Sequence, residues 1–134
     1  MTSMRLLIDT DVLLDFALNR EPHAEAAKRL LAWAATNPGR CAVAWHSLAN
    51  LNYMMRGKTG LFIRDLLEFV EVPRTGMEQM QAALDLSFAD LEDAMQTAAA
   101  MLFGAQAIVT RNIRDYRHSP IKADTPESVL KLLE

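Results

Sequence analysis

Short apolar runs alternate with amphipathic helical stretches along this chain, and that alternation restricts the fold more than any other feature. "RLLI" at 5–8 and "QAIVT" at 106–110 are buried-strand patterns, "RCAVAW" at 40–45 is a third, and "VEVPRT" at 70–75 is a weaker fourth. From Asp11 to about Thr36 the pattern is helical, as two helices broken at "NREPH", where Pro22 suits a first helical turn. Ser47 is placed to N-cap a helix with Leu48, Leu51, Met54 and Met55 on one face, loosened at Gly57. Residues 61–70 and 77–86 read as amphipathic helices, and Asp90 or Ser87 opens another, carrying Leu91, Ala94, Met95, Ala98 and Leu102 and closed by Gly104. Thr125 caps a final helix with Pro126 at its first position. Strands that alternate with helices specify a parallel sheet covered on both faces. The expected architecture is a three-layer α/β/α domain with a central parallel sheet of four or five strands, one domain over residues 1–134.

Composition narrows the class. A chain of 134 residues with 51% apolar and 23% charged side chains is a globular domain able to bury roughly two thirds of its unfolded surface. A net charge of −3 argues against a protein held on nucleic acid by bulk charge, but leaves room for a local basic rim. The single cysteine, Cys41, excludes an internal disulfide framework and a cysteine zinc cluster. Asp9 and Asp11 interrupt the N-terminal apolar run too early for a signal peptide, and the longest apolar tract contains Gly104 and Gln106 and is too short for a membrane span. The expectation is a cytoplasmic protein with no membrane partner.

In open parallel sheets, ligands bind outside the carboxyl ends of the strands. Asp9 follows the first strand, residues 46–50 follow the second, and residues 110–115 follow the late one, so all three groups belong on one edge of the sheet. Each acid also has a plain structural explanation. Asp11 fits a helix cap, Asp15 a solvated position one turn on, Asp90 with Asp93 a helix start complementing the dipole, and Asp115 a turn. Taken jointly they point elsewhere. Carboxylates that converge from distant segments stay ionised together only if a cation screens them. An all-oxygen donor set without Cys or His points to Mg²⁺ or Mn²⁺.

Three blocks, "LIDTDVLLDF", "SFADLEDAMQTAAA" and "IVTRNIRDY", resemble the signature blocks of the PIN domain, in the same order along nearly the whole chain. "REPH" after the first helix and a C-terminal "TPE" resemble its stand-alone bacterial branch. The resemblance implies a metal-dependent ribonuclease of a family in which many members are the toxin of a toxin–antitoxin pair, with RNA as substrate, an antitoxin protein as partner and a homodimeric state. It also implies that Asp9, Asp93 and Asp115 form the acidic cluster that holds Mg²⁺ or Mn²⁺, close enough together to share one or two ions. Thr110 and Asn112 match the polar turn of the family, and Asp11 stands where Asn is commoner. The acid expected in the helix after the second strand is replaced by Asn50, leaving Asp90, Asp11 or Glu92 to compensate. Arg111, Arg114, Arg117 and His118, with Arg56 and Lys58, are the candidate phosphate contacts, a solvated surface being the other explanation for them. His46 reads as a hydrogen-bonded structural group in preference to a base.

Two other functions fit parts of the chain. "DTDVL" also echoes the opening of haloacid-dehalogenase-type phosphatases, but the following Gly-Thr and a suitably placed Lys are missing. A PIN-like fold that has lost catalysis and binds RNA or a protein partner is the stronger rival, and Asn50 is the residue that supports it.

Overall fold

The computed structural model describes residues 4–133. Five strands form one sheet: Leu6–Ile8 (β1), Cys41–Ala42 (β2), Val70–Glu71 (β3), Ala107–Val109 (β4) and Lys122–Asp124 (β5). Their order is β3-β2-β1-β4-β5, and every neighbouring pair is parallel. The connections carry α-helices Thr10–Ala17 (α1), Ala24–Thr36 (α2), Trp45–Met54 (α3), Gly60–Leu66 (α4), Met77–Asp85 (α5) and Leu91–Phe103 (α6), a 3-10 turn at Ile113–Tyr116, and the closing helix Pro126–Leu133 (α7).

Strand periodicity builds the layers. Leu6 and Ile8 of β1 join Val12, Leu13, Leu30, Leu31, Leu66 and Val129 on one face, whereas Leu7 joins Ala99, Ala100 and Ile108 on the other. The first face is covered by α1, α2, α4 and α7, the second by α6, with α5 laid outside it through Ala83, Ala94 and Ala98. All three β1 side chains are wholly buried at the centre of the sheet, each contributing about 1.5–3 kcal/mol. Gly104 ends α6 in the left-handed region (φ 77°), where a side chain would be strained. The three-layer parallel architecture is therefore as the alternation requires.

Local details differ. Residue Asp9, not Asp11, caps α1, because the chain leaves β1 in extended conformation and turns helical at Thr10. Pro22 lies in the turn before α2, which starts only at Ala24. Helix α3 begins two residues before the expected Ser47 cap; Ala44 continues extended backbone from β2 directly into Trp45, so Ser47 falls inside the first turn. Asp15 is not solvated but 1% exposed.

Candidate active site

The carboxyl ends of β1 and β4 and the first turn of α6 enclose a cleft of about 400 Å³. Asp9, Asp11, Asp90, Glu92, Asp93 and Asp115 all line it, together with Asn50, Tyr53, Met54 and Asn112, and no Lys, Arg or His does. Asp9 is the deepest of these acids, 7% exposed, and its backbone N–H donates to the Val109 carbonyl at 2.9 Å, fixing it to β4. Its Oδ1 accepts from the Thr10 N–H at 2.7 Å and from Gln96 Nε2 at 3.2 Å. Its Oδ2 accepts from the Thr110 hydroxyl at 2.9 Å and from the Tyr116 hydroxyl at 3.1 Å. The same Tyr116 hydroxyl reaches Asp93 Oδ1 at 3.3 Å, so one O–H stands between two carboxylates from distant parts of the chain.

A polar layer lies beneath Asp9. Gln96, wholly buried, also donates to Ser47 Oγ, and the Thr10 hydroxyl donates to Ser47 Oγ at 2.9 Å. None of these donors is charged, and the electrostatics follow. Burial first, and the neighbouring Asp11 second, push the Asp9 carboxyl up to about 7. Burial, then Asp90 and Asp115, push Asp93 up to about 6. Asp11 is raised chiefly by burial. Burial and the two adjacent carboxylates raise the Tyr116 phenol, which therefore keeps its proton.

Three consecutive residues after β4 grip three acids between them. Thr110 donates to Asp9, Asn112 Nδ2 donates to Asp11 Oδ2 at 3.0 Å, and between them Arg111 makes a two-pronged ion pair with Asp15 at 2.6 and 3.2 Å. The Arg111 backbone N–H also donates to Asp11 Oδ2 at 3.1 Å. Arg20 completes the Asp15 pair at 3.0 Å. The guanidinium expected to face phosphate is thus held by Asp15. Asn50 lines the cleft, its amide donating to Glu92 Oε2 at 2.8 Å. Arg114, Arg117 and His118 border an adjoining hollow of about 130 Å³ that shares Asp90, Asp93 and Asp115 with the cleft. Arg56 borders a hollow on the other side, next to Tyr53 and Met54, and Lys58 is exposed. His46 ties α3 to the Glu92 backbone and is lowered by burial.

The structure therefore brings Asp9, Asp93 and Asp115 into one cleft. Yet among the described residues no three His, Cys, Asp or Glu side chains are close enough to hold a metal ion between them. In donor chemistry the site suits a hard divalent cation: six carboxylates converge without a basic residue, and Asp11 Oδ1 is buried with no hydrogen-bond partner. Gln96, Ser47 and Tyr116 were not anticipated as site residues. A signal existed for Gln96, which lies three residues after Asp93 and so on the same face of α6.

A parallel α/β domain with an acidic cleft at its strand ends is the class that fold and site define. A PIN-domain family model matches residues 5–114, and the chain belongs to the PIN-domain family. No curated protein is significantly similar in sequence. Among solved structures, a toxin-antitoxin complex from Klebsiella pneumoniae is similar, with a TM-score of 0.67 and 20% identity over 90% of this chain and 97% of that one. VapBC2 from Rickettsia felis, bound to a DNA fragment from its promoter, is similar with a TM-score of 0.65 and 18% identity over 91% of this chain and 98% of that one. These likenesses agree on the fold. Membership in the PIN family leaves the haloacid-dehalogenase-type reading without support. Among the described residues no helix is long and apolar enough to cross a membrane.

Proposed function

We propose that the chain is a Mg²⁺- or Mn²⁺-dependent ribonuclease that hydrolyses RNA phosphodiesters at the acidic cleft, and that it is the cytoplasmic toxin of a toxin–antitoxin pair. One observation carries this reading: six carboxylates line the cleft and, among the described residues, no basic side chain lines it with them, although Arg111 acts on Asp11 from outside it. An anionic phosphodiester approaches such a wall only when cations reduce its charge. Asp9, Asp93 and Asp115 would hold the ion, which when bound would supply charge to the scissile phosphate and acidity to an attacking water.

The chain's own residues position that chemistry. Thr10, Gln96 and Thr110 orient Asp9, and Asn112 with the Arg111 backbone orients Asp11. Asn50 leaves the acidic role at its corner of the cleft to Glu92, which it holds by its amide. Arg114, Arg117 and His118 on one side, with Arg56 and Lys58 on the other, would contact RNA phosphates beyond the scissile one. Tyr53, 81% exposed beside the cleft, offers a face on which a base can stack. An antitoxin partner is supported by the toxin-antitoxin assemblies among the structural neighbours. A homodimer is supported by exposed apolar side chains on α3 and α4, Trp45 and Leu61.

The test is RNA cleavage by the whole chain with Mn²⁺, with chelator, and with Asp9→Asn. Cleavage that needs Mn²⁺ and Asp9 supports the nuclease. A PIN-like binding module is the second reading, favoured by Asn50 and by the absence, among the described residues, of a three-carboxylate metal set. RNA or partner binding without metal-dependent cleavage would establish it instead. Growth arrest on expression of the chain, absent with Asp9→Asn, tests the toxin role.

A further inference from the structure

A carboxylate offers about four lone-pair sites. At Asp9 all four are in use: Thr10 N–H and Gln96 Nε2 on Oδ1, the Thr110 and Tyr116 hydroxyls on Oδ2. A cation can reach Asp9 only if one of these donors leaves, and the four are not equally free to go. Thr10 N–H belongs to the first residue of α1. Gln96 has no exposed surface and is tied to Ser47 by the same amide nitrogen. The Thr110 hydroxyl also reaches Asp11 Oδ2 at 3.3 Å, but its oxygen is held from behind, accepting from the Asn112 N–H at 3.0 Å. The Tyr116 hydroxyl has no such anchor; among the described residues its hydrogen bonds are those to Asp9 and Asp93.

The Tyr116 hydroxyl also lies between those two carboxylates, 3.1 Å from Asp9 Oδ2 and 3.3 Å from Asp93 Oδ1, so its hydrogen is directed at lone pairs that an ion held by both would use. Its partially positive hydrogen partly offsets the two acids, a small substitute for a cation's charge. Tyr116 is 3% exposed and its ring meets Phe88 edge-on at 6.0 Å between centroids, so packing holds the ring while the O–H remains free to turn about its bond to it.

We infer that Tyr116 competes with the divalent cation: its O–H engages the carboxylate lone pairs of Asp9 and Asp93 that the ion would take, and turns away about its C–O bond when the ion binds. The inference rests on the metal-dependent reading of the cleft, and it makes Tyr116 a residue that sets how much Mg²⁺ or Mn²⁺ the site needs.

The experiment compares Mn²⁺ affinity of the full chain and of Tyr116→Phe by calorimetry. Phe keeps the ring and removes the competing O–H, so its Mn²⁺ dissociation constant should fall by about tenfold or more, the scale of a hydrogen bond to a charged group. A second readout needs only the unaltered protein: Mg²⁺ should change the near-ultraviolet tyrosine absorption as the phenol leaves its carboxylate partners, and Tyr116→Phe should lack that change. Equal or weaker Mn²⁺ binding by Tyr116→Phe overturns the inference while leaving the metal-dependent reading standing, as does Mg²⁺ binding with no tyrosine change. If neither protein binds Mn²⁺ or Mg²⁺, the metal-dependent reading falls and takes the inference with it.

Discussion

Asp9 and Asp15 sit at either end of the same short stretch, Asp9 capping α1 and Asp15 inside it, and both are buried, at 7% and 1% exposure. Their surroundings are opposite. Asp15 meets two guanidiniums, Arg20 and Arg111, and its charge is neutralised within the fold. Asp9 meets only neutral donors and further acids, and its carboxyl rises to about 7. The lesson is that burial alone does not mark a working carboxylate. Of two hidden aspartates, the one with cationic partners ties elements together, and the one without them keeps a raised carboxyl.

The strongest way to break the comparison is to neutralise each acid in turn. Asp9→Asn should lower Mn²⁺-dependent RNA cleavage by at least about a thousandfold and abolish calorimetric Mn²⁺ binding. The variant should still fold, because the Thr110 and Tyr116 hydroxyls can turn to accept from the new amide. Asp15→Asn should do the reverse. Removing its charge strands two arginines and should cost about 2–3 kcal/mol in urea unfolding, with Mn²⁺ binding retained. If Asp15→Asn abolishes metal binding at unchanged stability, the division of labour between the two acids is wrong.

A pH series sharpens the contrast without mutation. Asp9 and Asp93 hold protons in the folded state at pH values where the unfolded chain, near the ordinary 3.8, has lost them. The folded form therefore binds more protons between about pH 4 and pH 7, and with chelator present its stability should fall as pH rises through that window. Mg²⁺ should flatten the decline, and Asp9→Asn should reduce it while leaving the share of Asp93 and Asp11; thermal melts at fixed ionic strength would read both effects. A decline that persists undiminished in Asp9→Asn assigns the protons elsewhere.

The smallest effect is expected at Asn50. Asn50→Glu sets a second carboxylate against Glu92, where the amide now donates, and should tighten Mn²⁺ binding severalfold while lowering the melting temperature in chelator. Unchanged or weaker Mn²⁺ binding shows that this corner of the cleft is not a ligand position.

Much of this was legible in the chain itself. An apolar run ending in Asp9, a helix opening near Asp90 and Asp93, and a buried strand leading to Thr110 specify both a parallel sheet and the edge where the acids meet. What stayed hidden has physical reasons. Strand β5, Lys122–Asp124, is a charged edge pairing with only β4 and has no apolar run to announce it. Gln96 sits in a helix whose residues 96–100 are all buried, so no polar face separates it from the core. Ser47 resembles a helix cap because capping and tertiary hydrogen bonding call for the same hydroxyl. The Asp15 ion pair joins positions 15 and 111, a distance in sequence across which no periodicity speaks.

The side chains of residues 110, 111 and 112 make their shortest carboxylate contacts with Asp9, Asp15 and Asp11 in turn. Side chains that serve three partners in strict succession form a key whose teeth cannot be recut one at a time. Gaining a single residue before this stretch would offer a hydroxyl to the ion pair of Asp15, and losing one would offer a guanidinium to Asp9. Point changes in this stretch are open to gradual adjustment; changes of length are not. Any variant of this protein that keeps its chemistry is therefore expected to keep the spacing of these three positions, however far the surrounding loops diverge.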